Sequence, residues 1–206
     1  MIFENRLAAS LIGPLIGAIA GPAIARGASF LKDKLGETLF PESFELIEDP
    51  HLPRRLGSSP FDDEGVENRR RALIDKGVLT TWLLDLASAR QLKLKPTGHG
   101  GGGSTSNFYL EKGKLSPAEL IADIKSGLYI TDLIGFGVNG VTGDYSRGAS
   151  GFWIENGKKA WPVSGITVAG NLKDMFLNMT AANDLQFKGA TNAPTVRIEG
   201  MTIAGS

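Results

Sequence analysis

Two histidines, His51 and His99, are the only imidazoles in the sequence, and it contains no cysteine. A zinc hydrolase needs two imidazoles on one helix face, a carboxylate base and a third ligand. Here each histidine stands in a Pro- or Gly-rich stretch far from the other, and no HExxH or HExxxH run occurs. The sequence therefore assigns this chain no metal ligand and no catalytic residue. Without cysteine there is also no disulfide framework, thiolate zinc site or cysteine nucleophile. A serine mechanism could draw on Ser146 or Ser150 as nucleophile, His99 as base and Asp144 or Asp63 as orienter, because triads are set by geometry and not by chain order. It would lack a GxSxG elbow and would rest on one imidazole in a glycine-rich loop.

Two polar clusters remain as candidate contact sites. Asp62-Asp63-Glu64 can be read as an ion-binding or acid–base group, or as a solvated acidic turn that approaches Arg69–Arg71. Gly143-Asp144-Tyr145-Ser146-Arg147-Gly148 reads as a polar loop that contacts a peptide or a partner subunit. It reads equally as a turn in which Asp144 bonds nearby N–H groups and Arg147 pairs internally, for instance with Asp63. Polar side chains between glycines are where scaffolds often place recognition. The candidate peptide- or partner-contacting residues are thus Asp144, Tyr145, Ser146, Arg147, Asp62, Asp63 and Glu64. The run GHGGGGSTSN at 98–107 is not a phosphate cradle, since it lacks GxxxxGK[ST] and no helix start follows it. It reads as a mobile loop.

The elements that must position these residues are short. An apolar helix covers Leu7 to Ala25, with a kink or restart expected at Pro14. A strand over Ser43–Glu48 ends at Asp49-Pro50. Asn68–Leu86 reads as a hairpin around a three-residue loop, Asp75-Lys76-Gly77. Ser88 is placed to cap a short helix through Leu92, and Asn107–Glu111 forms a strand. Ser116-Pro117-Ala118-Glu119 has the N-cap, N1 proline and N3 glutamate of a capping box, opening a helix to Lys125. Leu128–Ile134 reads as a buried strand. Ile154-Glu155-Asn156-Gly157-Lys158-Lys159 is a type I′ hairpin signal. Its two-residue loop would set Glu155 opposite Lys158 and Phe152 opposite Trp161. Asn171 opens a helix to Ala182, and a strand over Thr195–Ile203 ends the chain. The expected fold class is α+β: one domain over 1–206, mainly antiparallel sheet, barrel- or sandwich-like, with a few packed helices.

Composition narrows the function classes. The 206 residues carry no net charge, which argues against recruitment to nucleic acid through a general field. The 27 glycines fall between short apolar runs, as tight turns in a β-rich domain would require. Leu7 to Ala25 is uncharged between Arg6 and Arg26, so its length raises a membrane question. Pro14, Pro22 and three glycines within it favour a small-residue helix packed in a core. No membrane association is expected, and the absence of cysteine fits a reducing cytoplasm.

TGDYSRGASGFWIENG at 142–157, then PVS and ITVAGNLKDM, resembles the C-terminal domain of the TldD/PmbA family on its PmbA (TldE) side. FDDEGV at 61–66 and SARQL followed by LKPTGH at 88–99 add matches in the family's order. The resemblance extends from NRLAASLIGPLIGAIAG at 5–21 to VRIEGMTIAG at 196–205. The family was once described as modulating DNA gyrase and is now regarded as metalloproteases that process peptides. In its active paralogue the metal-binding histidines lie in an N-terminal domain, and a cysteine of the C-terminal domain completes the site. The resemblance therefore implies a non-catalytic domain of a metalloprotease assembly acting on unfolded peptides. It implies a TldD-like metal-binding subunit as partner, with zinc in that partner only, and scaffold and peptide contacts here. An isolated structural or interaction domain without activity, and a metal-independent hydrolase, stand as the alternatives.

Overall fold

The computed structural model describes residues 1–103 and 106–205. In chain order these form β1 (Ile2–Phe3), α1 (Asn5–Ile19), α2 (Gly21–Ala25), β2 (Leu46–Glu48), β3 (Arg71–Asp75), β4 (Val78–Leu79), α3 (Leu86–Leu92), α4 (Gly100–Gly103) and β5 (Phe108–Leu110). They continue with α5 (Pro117–Ala122), β6 (Ser126–Ile134), β7 (Asp144–Glu155), β8 (Lys158–Asn171), α6 (Leu172–Leu177), β9 (Met179–Ala181), β10 (Thr191–Asn192), β11 (Val196–Ile198) and β12 (Thr202–Ala204).

The strands make two sheets, one ordered β12-β8-β7-β6-β1-β11-β9 and the other β10-β5-β2-β3-β4. Pairing is antiparallel except for β1 with β6 and β10 with β5. The fold class is α+β, as expected. Helix α1 holds the sheets together. Its buried residues Leu7, Ala8, Leu11, Ile12, Leu15, Ala18 and Ile19 recur at helical spacing and share one core with Leu46 and Leu110 of one sheet and Val196 of the other. The helix runs through Pro14 without ending. Ser10, whose carbonyl loses its in-helix donor there, lies on the exposed face, where water can satisfy it. No described helix is long and apolar enough to cross a membrane.

Several local expectations shift. The loop between β3 and β4 has two residues: Asp75 faces Val78, and Lys76 and Gly77 both have positive φ. Asp85 is the cap of α3, its Oδ1 accepting from the Ser88 N–H at 2.6 Å. Ser116 caps α5 in a reciprocal capping box with Glu119, but the helix stops at Ala122 so that β6 can start at Ser126. Helix α6 ends at Leu177, and the final strand splits into β11 and β12 around Gly200.

The β7–β8 turn is as expected, with Asn156 at φ 48, Gly157 at φ 77 and Glu155 opposite Lys158. Beyond it the register slips between Phe152 and Ile154, so Phe152 faces Pro162 and Trp153 stacks on Trp161 with centroids 6.3 Å apart. The bulge inserts one residue and carries the aromatic pairing one position along.

Of the stretch 97–107, Gly100–Gly103 forms one helical turn. Ser104 and Thr105 lie outside the described residues, and with them that part of the expected loop.

Candidate functional site

The run Asp144–Arg147 is the first part of strand β7 and not a loop. Its backbone is paired on both sides. Tyr145 faces Gly170 of β8, and on the other side the connecting segment folds back so that Val138 bridges to Tyr145 and the Ser146 N–H donates to the Gly137 carbonyl at 2.7 Å. A Cβ on Gly137 would overlap the Ser146 carbonyl, so this close approach needs glycine. Period-two alternation then sorts the side chains. Asp144 and Ser146 point outward, while Tyr145 is 2% exposed and Arg147 is half-buried.

Asp144 accepts from the Thr142 hydroxyl at 2.6 Å and from the Asn171 amide at 3.0 Å. These two bonds, Thr142's first, hold its carboxyl below the usual carboxylate range. The buried Tyr145 hydroxyl meets no hydrogen-bond partner, and burial pushes its ionisation up against the opposing pull of Arg147. Arg147 does not pair with Asp63; its Nη2 donates to the Leu133 carbonyl at 3.4 Å. Above this strand the β6–β7 connection displays Phe136, fully exposed, with Ile134 and Val141 also exposed.

The second acidic cluster leads to a site that the sequence reading missed. Asp62 is a local organiser: its Oδ1 accepts from the Glu64 and Val66 N–H groups and its Oδ2 from Gly100 N–H at 2.6 Å. Burial acts to raise its pKa, but the three N–H donors and nearby His99 outweigh it and leave the carboxyl below its ordinary value. Glu64 caps α3 from outside, accepting from the Leu86 N–H at 2.7 Å. Asp63 is exposed. Arg70 and Arg71, expected near these acids, instead face Asp49 at 3.6 Å and Glu48 at 3.2 Å.

Gly100 follows His99, which is wholly buried. The His99 Nε2 lies 2.9 Å from Glu48 Oε1, and its Nδ1 lies 2.9 Å from the Thr97 hydroxyl. Glu48 ends an otherwise apolar strand, where register with β3 sets Arg71 opposite it. Next to this pair lies a polar cavity of about 140 Å³, lined by Glu48, Asp62, Asp63, Asn68 and Ser106, among others. The signal for it in the sequence was a lone glutamate closing an apolar strand and a histidine inside a matched motif.

Neither arrangement supports the two enzymatic readings. Both ring nitrogens of His99 are committed, to Thr97 and Glu48, so it does not serve Ser146 or Ser150 as a base. His51 is exposed, and among the described residues no group of three or more metal-ligating side chains is placed to hold a metal ion.

Residues 1–205 match the family described as the PmbA/TldA metallopeptidase C-terminal domain. Metalloprotease PmbA of Escherichia coli is 47% identical over 206 residues, covering 100% of this chain and 45% of that protein. The PmbA homologue of Haemophilus influenzae is 42% identical and is covered over 46% of its length. The chain thus spans less than half of these relatives. Among solved structures, a candidate modulator of DNA gyrase from Bacteroides thetaiotaomicron superposes with a TM-score of 0.92 at 34% identity, over 100% of this chain and 46% of its own. TldE from Thermococcus kodakarensis superposes with a TM-score of 0.86 at 26% identity, over 99% of this chain and 49% of its own. By sequence and by fold, the chain belongs to the PmbA/TldD metallopeptidase family and corresponds to its C-terminal domain.

Proposed function

We propose that this chain is the non-catalytic C-terminal domain of a PmbA/TldE-type subunit, which works in the cytoplasm with a TldD-like subunit that holds the zinc. It supplies scaffold and contact surface to an assembly that cleaves unfolded peptides. The observation that carries this reading is the apolar crest Ile134, Phe136 and Val141, presented beside the outward-facing Asp144 and Ser146. A wholly exposed phenylalanine close in sequence to two exposed aliphatic side chains costs solubility unless another surface covers it. The family relation points to the TldD-like subunit or its peptide as that surface. Tyr145 is buried in the core, and Arg147 is half-buried with its Nη2 on the Leu133 carbonyl. Of the other acidic candidates, Glu64 is engaged by the Leu86 N–H at the start of α3, and the exposed Asp63 is left for a partner.

The chain's own ligand set is the reason for placing the metal elsewhere. With no cysteine and with His99 tied to Glu48 and Thr97, hydrolysis is left to the partner. The test is copurification with a TldD-like subunit, followed by cleavage of an unfolded peptide by each component and by the mixture. Activity only in the mixture is the expected result. Full activity of the TldD-like subunit alone would remove the proposed role.

A further inference from the structure

The chain contains two Asn-Gly pairs, Asn139-Gly140 and Asn156-Gly157, and both asparagines are exposed. In such a pair the following backbone nitrogen can reach the side-chain carbonyl carbon, because glycine puts no Cβ in the way. The structure treats the two pairs in opposite ways. The Gly157 N–H donates to the Ile124 carbonyl at 2.9 Å, and the Asn156 N–H donates to the Lys125 carbonyl at 2.9 Å. The attacking nitrogen of that pair is therefore engaged. Asn156 is also fixed in the left-handed region, at φ 48, by its hairpin turn.

At Asn139 the reacting atoms are free and the carbonyl is activated. The Gly140 N–H has no acceptor among the described residues, while the Gly140 carbonyl is held by the Phe30 N–H at 3.1 Å. Asn139 Oδ1 accepts from the Val141 N–H at 2.9 Å and the Thr142 N–H at 3.3 Å. Attack at Cγ turns that oxygen into an oxyanion, and both donors already face it. Preorganised N–H groups of this kind lower the barrier to acyl transfer. The same two bonds fold the carboxamide over the residues that follow, on the side of the Gly140 nitrogen. The Nδ2 group, which has to leave, makes no hydrogen bond among the described residues.

We propose that Asn139 is a site of spontaneous deamidation in the folded protein and that Asn156 is spared. The Gly140 nitrogen gives up its proton and bonds to Cγ. The Cγ–Nδ2 bond breaks, and Nδ2 leaves as ammonia with that proton, so a succinimide ring remains. Water then opens either carbonyl of the ring to give aspartate or isoaspartate at this position, with no change of oxidation state. Each product places a new carboxylate two residues from the exposed Val141 and close to Asp144, whose carbonyl accepts from the Asn139 N–H at 2.8 Å. Isoaspartate also inserts a carbon into the main chain between the bonds that tie Asn139 to Asp144 and Gly140 to Phe30. The reaction goes beyond the assembly role and needs no partner subunit.

The experiment incubates the folded protein in heavy-oxygen water at mildly alkaline pH and follows both sites by mass spectrometry. Cleavage after lysine and arginine separates them into fragments 126–147 and 148–158. An oxygen taken up from the water marks conversion during the incubation. In the folded protein Asn139 should convert about tenfold faster than Asn156, the rate equivalent of the one hydrogen bond that Gly157 must break. In urea the ratio should fall to about one, since both asparagines then precede a glycine in an unfolded chain. Gly140→Ala serves as the variant, because an added Cβ would meet no neighbouring atom and φ there is not positive. It should keep the wild-type melting temperature and slow conversion at Asn139. Equal rates at the two sites in the folded protein would overturn the proposal. So would an Asn139 that stays intact when folded but converts in urea, or wild-type conversion in Gly140→Ala.

Discussion

The Nε2 of His99 lies 2.9 Å from Oε1 of Glu48, and both side chains are closed off from solvent. The pair joins two segments distant in sequence, the end of β2 and the stretch leading into α4. Arg71 on the neighbouring strand and the Thr97 hydroxyl complete the chain of contacts. Removing His99 takes from the buried Glu48 its contact at Oε1 and leaves Arg71 as its remaining partner. His99→Ala should therefore cost about 3–5 kcal/mol of stability in urea unfolding. In a double-mutant cycle with Glu48→Ala the two losses should fall well short of adding. Additive losses would mean that the contact contributes little in solution.

Asp62 ties the same region together through three backbone N–H groups, and its depressed pKa has a signed consequence. A carboxyl with a folded pKa below its unfolded value contributes fully above the unfolded value. That contribution is lost as pH falls through the folded value. Urea unfolding of the wild type should thus lose stability on acidification. Asp62→Asn should be less stable at neutral pH and show a shallower loss in acid, and parallel profiles for the two proteins would contradict it.

Tyr145 was a candidate contact on the sequence, yet it is buried with an unpaired hydroxyl. Tyr145→Phe deletes a polar atom that makes no hydrogen bond, so stability should change by less than about 1 kcal/mol and can rise. Tyr145→Ala opens a cavity in the main core and should cost about 3–5 kcal/mol. A large loss in Tyr145→Phe would reveal a hydroxyl contact with Arg147 that forms in solution. Chemical unfolding of the two variants side by side decides it.

How much of this could be read from the sequence depended on how local each determinant is. The Asn156-Gly157 turn and the Ser116–Glu119 capping box depend on neighbours within a few residues, and both are present as expected. The partner of Phe152 was misread because a bulge farther along the strand reset the register, and nothing in a single strand announces a bulge. The inward turn of Tyr145 depends on which face of β7 meets the core. A run of Asp, Tyr, Ser and Arg has no hydrophobic alternation to declare that face. Glu48 and His99 are 51 residues apart, and only the pairing of β2 with β3 and β5 brings the glutamate into reach. Such long-range register is what one sequence does not contain. The motif 94–99 marked its histidine without naming its partner.

The crest on the β6–β7 connection offers the sharpest separation of recognition from stability. Phe136 has no contact to lose, so Phe136→Ser should leave stability within about 0.5 kcal/mol of wild type. The same variant should weaken association with a TldD-like subunit or a peptide, since it removes the most exposed apolar side chain of the patch. Its neighbour Gly137 should behave in the opposite way. A Cβ there meets the Ser146 carbonyl, so Gly137→Ala must break the bond from the Ser146 N–H and lift the connection off β7. Stability should fall by about 1–3 kcal/mol, the scale of a strained backbone site. Association should fall with it, because the crest is no longer held in place. One melt and one pull-down on each variant distinguish the two roles. Unchanged association in Phe136→Ser would mean that the partner docks elsewhere, and that the exposed phenylalanine has no part in the assembly.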